Sequence, residues 1–464
     1  ITERLVGSEM CIRDRSIPDD VFYGIQSFRA SKNFPISGTQ VHPQLIRSFL
    51  LLKKAAAKAN QAAGALDEKK TAAITTAVDE LLKDNYLKHF IVDAYQAGAG
   101  TSQNMNANEV IANKANVLLG GKLGAYDHVH PNDHVNMSQS TNDTYPTAMR
   151  LATLVLSKEL VSELQRFSNA FKQKAQEFDL VIKSGRTHLQ DAVPIRLGQE
   201  FSAYQKTIEH LIGLVIHSQD YLRELGIGGS AAGTGINVPK GFREAIIIEL
   251  KHDFEDSDLT LSDNMCAAMQ SQLPMTIYSN ALRACALELT RITNDLRLLS
   301  SGPANGLGEI NLPSTQPGSS IMPGKVNPSI LEMANQVFFK VLGNDQAMAF
   351  ANQAGQLELN VMMPVMAQLA LESSMILTNT LKTMRELCIS GITANKETCE
   401  KYASQTSQIV TALNPVIGYA KAGELAKESI KSKKTVIELV KEQKLLTDKQ
   451  IKDLLDPKKL TVPH

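Results

Sequence analysis

The chain has 464 residues, and its 48 Lys+Arg against 48 Asp+Glu leave no formal net charge. That balance excludes the basic footprint of a nucleic-acid binder and a global field that steers anions, so any anion must be gripped by local groups. The length leaves room for two or three domains. Five cysteines (Cys11, Cys266, Cys285, Cys388, Cys399) are scattered, odd in number and without a CxxC pair, which fits a reduced, cytoplasmic setting rather than a disulfide framework. No apolar run approaches the roughly 18 residues that would argue for a membrane span.

In chain order, Ile1–Arg15 does not lead into the globular pattern that starts near Ser16-Ile17-Pro18. It has no signal-peptide layout. Val6–Arg15 resembles translated sequencing-adapter DNA, so the segment is a candidate non-native extension. Ser48–Ala65 carries Ala, Leu and Lys with apolar residues at helical spacing. Pro146 suits a first helical turn behind Asp143 and Thr144 as caps, and no Gly or further Pro follows before Phe178. Further helical runs cover Leu197–Leu225, Met265–Leu299 and Pro328–Leu381, the last interrupted at Gly343, Gly355 and Pro364. Strand signals are sparse, tryptophan is absent and aromatics are 5%, so large aromatic anchors are few. The expectation is an all-α chain built on a long helical bundle, with helices that continue into an oligomer interface. After Gly391 the chain changes to shorter, Lys-rich helical pieces. The expected divisions are 1–15, an N-terminal domain 16–140, a central bundle 141–390 and a small C-terminal domain 391–464.

Four separated segments place small hydroxyl and amide residues in a loop just before a helix. They are Gly98–Asn106 with Thr101, Ser138–Asp143 with Ser140, Thr141 and Asn142, Gly185–Asp191 with Thr187 and His188, and Gly318–Pro328. Loop amides and a helix N-terminus make a site for an anion, and Thr and Ser hydroxyls add donors without charge. The plainer reading makes the same residues caps and turn formers. His188 has an ordinary pKa that suits acid–base work, although a single histidine is also a common structural residue. Glu332, one turn into the helix after Pro328, could orient a histidine from another segment or be a solvated helix glutamate. In an extended segment Lys325 and Asn327 point to one side and could hold one carboxylate. Asn327 is also a good N-cap before Pro328. Ser319 or Ser320 could serve as a base only with amide donors, a nearby cation and exclusion of water. Gly318 and Gly324 permit close backbone approach and Lys325 supplies the cation; the plain alternative is a flexible Gly/Ser loop. The His128-Val129-His130-Pro131-Asn132-Asp133-His134 cluster lacks the spacing of familiar zinc motifs, and the chain has no HExxH, P-loop or strand-linked GxGxxG.

These segments resemble the fumarase/aspartase superfamily from near Ile17 to the C-terminus. GSSIMPGKVNP (Gly318–Pro328) resembles its signature loop and is highly specific; GAGTSQNMNANEV (Gly98–Val110) and GRTHLQDAVP (Gly185–Pro194) add two matches. Thr141, Asp191–Pro194, Phe339–Asp345 and Gly391–Glu397 resemble the aspartase side, whereas His130–Asp133 resembles a secondary dicarboxylate site of fumarases. Met363 stands where aspartases often carry Glu, and Ala304 replaces the usual Arg after Gly302-Pro303.

The resemblance implies an all-helical, three-domain fold in a homotetramer whose active sites draw on three subunits. It implies a dicarboxylate substrate and reversible deamination of L-aspartate to fumarate and ammonia. The alternatives are hydration of fumarate and a non-catalytic homologue. The implied roles are Ser319 as base, with Thr101, Ser140, Thr141 and Ser320 holding the enediolate. Lys325 and Asn327 would hold the other carboxylate, Asn142, Thr187 and His188 would surround the amino group, and Glu332 would orient His188. No cofactor is implied, because the substrate's own carboxylate is the electron sink. Activation by a divalent metal stays open, and no dedicated metal site is visible in the sequence.

Overall fold

The computed structural model describes residues 17, 18 and 20–461. The readings that fall on Ile1–Arg15, Cys11 included, lie outside the described residues. The architecture is mostly helical, as the sequence predicts, with three small two-stranded sheets among the described residues. None of the described helices is long and apolar enough to cross a membrane.

The chain divides into two compact units. The first holds the described residues through Val161 together with Gly213–Ala284 and Lys340–Leu377. Its core is built on the helix Pro43–Ala62, which starts behind His42; the His42 Nδ1 accepts the Gln44 amide at 3.1 Å. Leu45, Ile46, Phe49, Leu50, Leu52, Ala55 and Ala56 are all buried, so this helix is apolar on more than one face and packs against several neighbours. Those neighbours are the helices Glu68–Lys83, Thr101–Leu118 and Phe242–Asp253. Fully burying each Leu, Ile or Phe contributes about 1.5–3 kcal/mol.

The second unit holds Ser162–Ile212, Cys285–Phe339 and the described residues from Thr378 onward. It contains an antiparallel hairpin, β1 (Ile182–Thr187) and β2 (Gln190–Arg196), that the sequence reading had as a loop before a helix. Gly185, Pro194 and a bulge between Ser184 and Arg186 break the alternation that would betray it. Its C-terminal part forms a separate apolar cluster around Val410, Leu425, Val436 and Leu439. Capping boxes at Thr435/Glu438 and Thr447/Gln450 start the short helices there.

Helix bounds differ from expectation in instructive ways. The helix expected to begin at Pro146 begins at Thr141 and runs to Glu177, with Pro146 inside its first turns. Asp143 is not its cap; Ser140 fills that role, its Oγ accepting the Asn142 amide at 3.2 Å. The Asp143 carboxylate returns to the Ser140 amide at 2.9 Å, closing a reciprocal cap. The run from Met265 splits into Met265–Gln270 and Leu273–Leu299. Gly343 lies inside the helix Ser329–Gln353, whereas Gly355 follows its end and Pro364 opens Met363–Leu387.

In the first unit the backbone at Gly100 admits only glycine. Gly100 has φ +80°, and a Cβ there would sit 1.9 Å from the Tyr145 ring. Gly100→Ala should therefore destabilise the protein by about 1–3 kcal/mol or more, read as a lower midpoint in chemical denaturation.

Candidate active site

The Gly318–Pro328 loop, in the second unit, is tied shut at its neck. The Gly318 amide donates to the Lys325 carbonyl at 2.8 Å, and the Asn327 Nδ2 donates to the Gly318 carbonyl at 2.6 Å. A Cβ at Gly318 would fall 2.3 Å from the Lys325 carbonyl oxygen, so the closure needs glycine. Inside the loop the Ser319 Oγ accepts two backbone amides, from Ile321 at 3.2 Å and Met322 at 3.1 Å. Two donors converging on one oxygen favour its anionic form. Ser320 and Lys325 are exposed. Lys325 and Asn327 line a cavity of about 370 Å³ together with Gly302, Pro303, Gly308 and Asn311.

The Asn327 side chain is not the helix cap anticipated from its place before proline. Its amide closes the loop instead, and the helix starts at Ser329, with the Pro328 carbonyl accepting the Glu332 amide at 3.0 Å. Glu332 is half-buried on the first helical turn, and among the described residues no hydrogen bond or ion pair joins it to His188.

Thr187 and His188 sit at the hairpin tip, where Thr187 pairs with Gln190. The two turn residues His188 and Leu189 have φ of 54° and 56°, the left-handed pair that a two-residue hairpin turn requires. Both are exposed, Leu189 at 73%. The first strand of the hairpin is fixed along its length by a buried ion cluster. Glu309, fully buried, takes Lys183 at 3.2 Å and Arg186 at 2.9 Å, and Lys183 also meets Glu200 at 3.1 Å. The Arg186 guanidinium lies over the Tyr402 ring at 5.7 Å.

The other candidates belong to the first unit. Thr101 is exposed at the start of its helix, and its hydroxyl reaches back to the Gly98 carbonyl at 3.5 Å. The Ala99 amide donates to the Val361 carbonyl at 2.8 Å, which anchors the preceding turn. Asn104, one turn into the same helix, bonds the Thr141 Oγ1 at 3.1 Å and so joins the Thr101 and Ser140–Asn142 segments. The Asn142 Nδ2 donates to the Ala231 carbonyl at 2.8 Å. Asp143 receives the amides of Gly228 at 3.1 Å and Ser230 at 2.8 Å, which docks the glycine-rich 226–241 loop. Beneath these residues the Lys53 ammonium donates to Asn136 at 2.8 Å and Gln139 at 3.0 Å. Burial brings the Lys53 ammonium down to about 7 and pushes the Asp143 carboxyl up to about 6.

Lys53, Asn104, Asn136, Gln139, Asp143 and Glu309 all support these segments, and the sequence reading had assigned a role to none of them beyond a cap at Asp143. The run Gln103-Asn104-Met105-Asn106-Ala107-Asn108 inside a helix was the available signal, since buried amides at helical spacing need dedicated partners. In the histidine cluster, His130 Nδ1 accepts the Asn132 and Asp133 amides at 3.3 and 3.2 Å, and His134 Nδ1 accepts the His130 amide at 2.8 Å. Met363 is fully buried at the start of its helix. Nothing in the structure explains Ala304.

Residues 14–343 match the family model described as Lyase, and residues 409–462 match that of the Fumarase C C-terminus. The chain belongs to this lyase family, the fumarase/aspartase superfamily. It is 47% identical over 455 residues to an aspartate ammonia-lyase of Helicobacter pylori, covering 98% of this chain and 97% of that one. To the aspartate ammonia-lyase of Bacillus subtilis it is 45% identical over 450 residues, covering 97% and 94%. A solved Brucella melitensis fumarate lyase:delta crystallin bound to cobalt superposes with TM-score 0.94 at 45% identity, covering 97% and 98%. A class II fumarase from Schistosoma mansoni superposes with TM-score 0.92 at 34% identity, covering 97% of each chain.

Replacing Glu309 by Ala would leave Lys183 and Arg186 without their shared counter-ion. The expected loss is about 3–5 kcal/mol of unfolding free energy, measured by denaturant titration.

Proposed function

We propose that the chain is an aspartate ammonia-lyase that deaminates L-aspartate reversibly to fumarate and ammonia. The observation that carries the chemistry is the Ser319 Oγ facing two backbone amides. An aliphatic hydroxyl is a useful base only as its oxyanion, and converging donors are what lower the cost of forming it. The choice of ammonia as leaving group rests on the relatives, several of them aspartate ammonia-lyases 45–47% identical to this chain along nearly its full length.

In this reading the Ser319 oxyanion takes a proton from the carbon next to the β-carboxylate. The electron pair left on that carbon spreads into the carboxylate as an enediolate. Thr101, Ser140, Thr141 and Ser320 donate to it where the charge develops. Lys325 and Asn327 hold the second carboxylate. Asn142, Thr187 and His188 surround the departing amino group, and Glu332 orients a His188. The electron sink is the substrate's own carboxylate, so the step draws on no cofactor; a divalent metal would act as an activator only. The Ser319 loop closes over the substrate and excludes water.

The working form is a cytoplasmic homotetramer in which three copies contribute to each site. Apolar side chains left exposed on the long helices, among them Leu214, Leu287, Leu298, Phe339 and Phe350, support such an assembly.

Absorbance of fumarate, followed separately with aspartate and with malate, tests the assignment. Response to aspartate is expected. Response to malate alone would make the chain a fumarase, and silence with both would make it a non-catalytic homologue. Ser319→Ala should cut kcat by about 10³-fold or more, on the scale of losing an activated nucleophile or base, with the oligomer intact by size-exclusion chromatography. Lys325→Ala should raise KM for aspartate; an unchanged KM would remove its carboxylate role.

A further inference from the structure

Lys53 lies wholly inside the first unit, Asn104 is nearly as deep at 2% exposure, and neither can reach a substrate directly. Their hydrogen bonds nevertheless fix the direction of one hydroxyl proton. Lys53 donates through its hydrogens whether or not it carries the extra proton, and the backbone carbonyls behind its two partner amides can only accept. The two atoms facing Lys53 Nζ are therefore oxygens, the Asn136 Oδ1 at 2.8 Å and the Gln139 Oε1 at 3.0 Å. Both amides are pinned at their other ends as well. The Asn136 Nδ2 donates to the Gln139 carbonyl at 3.2 Å, and the Gln139 Nε2 donates to the carbonyls of Val135 at 3.2 Å and Met137 at 3.0 Å.

With Asn136 Oδ1 fixed as an acceptor, the Asn104 atom 3.2 Å from it must be the amide nitrogen. Turning Asn104 over would set two oxygens against each other. The second hydrogen of the same Nδ2 points to Thr141 Oγ1 at 3.1 Å. Thr141 is thus an acceptor on its inner side, and its own proton is left to donate outward. The Asn104 Oδ1 is buried without a partner among the described residues. That cost of roughly 1–3 kcal/mol is tolerated in an arrangement that keeps the amide facing this way.

We propose that Lys53, Asn136 and Asn104 form a donor relay that sets Thr141 as a hydrogen-bond donor to the carboxylate on which negative charge develops. The inference rests on the function proposed above and makes Asn104 a positioning residue that acts through Thr141. A hydroxyl free to rotate would donate in some orientations and accept in others. One locked as a donor is preorganised for the enediolate and needs no reorientation as charge accumulates.

A double-mutant cycle on the intact purified protein tests this. Asn104→Leu, close in shape and without donors, should lower kcat by about 10-fold or more, a fraction of the roughly 10²–10³-fold loss seen on removing one oxyanion donor outright. KM for aspartate should change less than about threefold, because donor direction matters most once charge has formed. In a Thr141→Val background the same Asn104→Leu change should alter kcat by less than about threefold, since the hydroxyl it orients is gone. Asn104→Ser adds no bulk and is too short to bridge both oxygens, so it carries the same cycle if the leucine variant does not fold. A folded Asn104 variant with kcat within twofold of the parent overturns the relay. So does an equal loss in the presence and absence of the Thr141 hydroxyl. A parent that acts on malate rather than aspartate overturns the proposed function alone, and the cycle is then read on malate with the same criteria. A parent inactive on both overturns the two together.

Discussion

Much of the second unit depends on how one buried carboxylate is neutralised. Glu309 is removed from water, and its Oε2 is shared by Lys183 and Arg186. An ion in that setting costs several kcal/mol unless cations and donors surround it. Meeting that cost draws four pieces of chain together. The strand Ile182–Thr187 supplies Lys183 and Arg186, and the helix from Leu197 supplies Glu200 as the second partner of Lys183. The Glu309 backbone carbonyl accepts the Asn395 amide at 2.9 Å, and antiparallel pairing of Ile310–Asn311 with Thr393–Ala394 follows directly. The hairpin that displays Thr187 and His188 is thus held along its first strand, up to the residue before Thr187. The cavity beside Lys325 is lined by residues on both sides of Glu309 in the chain, from Ser300 to Leu312.

Long-range electrostatics of this kind is what the sequence does not display. The helices were legible because apolar spacing is local, and the signature loop was legible because its residue types are unusual in combination. Glu309 sits among glycines and small residues with nothing nearby to mark it as buried, and its cations lie more than a hundred residues away. The hairpin was hidden for a different reason. Its turn is His188-Leu189, and neither residue is the Asn or Gly that commonly marks two positive φ angles. Asp143 was read as a cap. It is better described as the C-terminal half of a cap whose other half, Ser140, was already singled out for chemistry. Asn327 was likewise given two roles, and the geometry uses its amide for a third, the closure of the loop neck.

The Ser319 loop ties its closure and its pair of amide donors into one device. The amides of Ile321 and Met322 can point at a single oxygen only if the chain turns sharply just after Ser319. The turn is held because the Gly318 amide and carbonyl are both bonded, to Lys325 and Asn327 respectively. Lys325 and Asn327 are thus structural through one group each, a backbone carbonyl and a side-chain amide. The Lys325 ammonium and the second Asn327 hydrogen remain for a ligand. A side chain at Gly318 would separate the two ends of the loop and the donor pair with them.

A division of labour between charged and neutral groups follows. The buried charges, Glu309 with its two cations in one unit and Lys53 with Asp143 in the other, lie under the polar segments and hold them in place. The groups those segments present, Thr101, Ser140, Thr141, Asn142 and Thr187, are neutral. A full cation would attract a ground-state carboxylate strongly before any proton moved, and binding of that kind lowers KM without accelerating the step. A neutral donor of fixed direction gains more as the second negative charge forms, provided its direction does not have to be found at that moment. Direction is the property that buried groups can impose at a distance, because the Lys53 hydrogens and the carbonyls behind Asn136 and Gln139 leave each amide one way to face. Beside the single grip proposed for Lys325, a chain with equal numbers of acids and bases can therefore concentrate local anion affinity through oriented dipoles, with its buried charges spent on orientation.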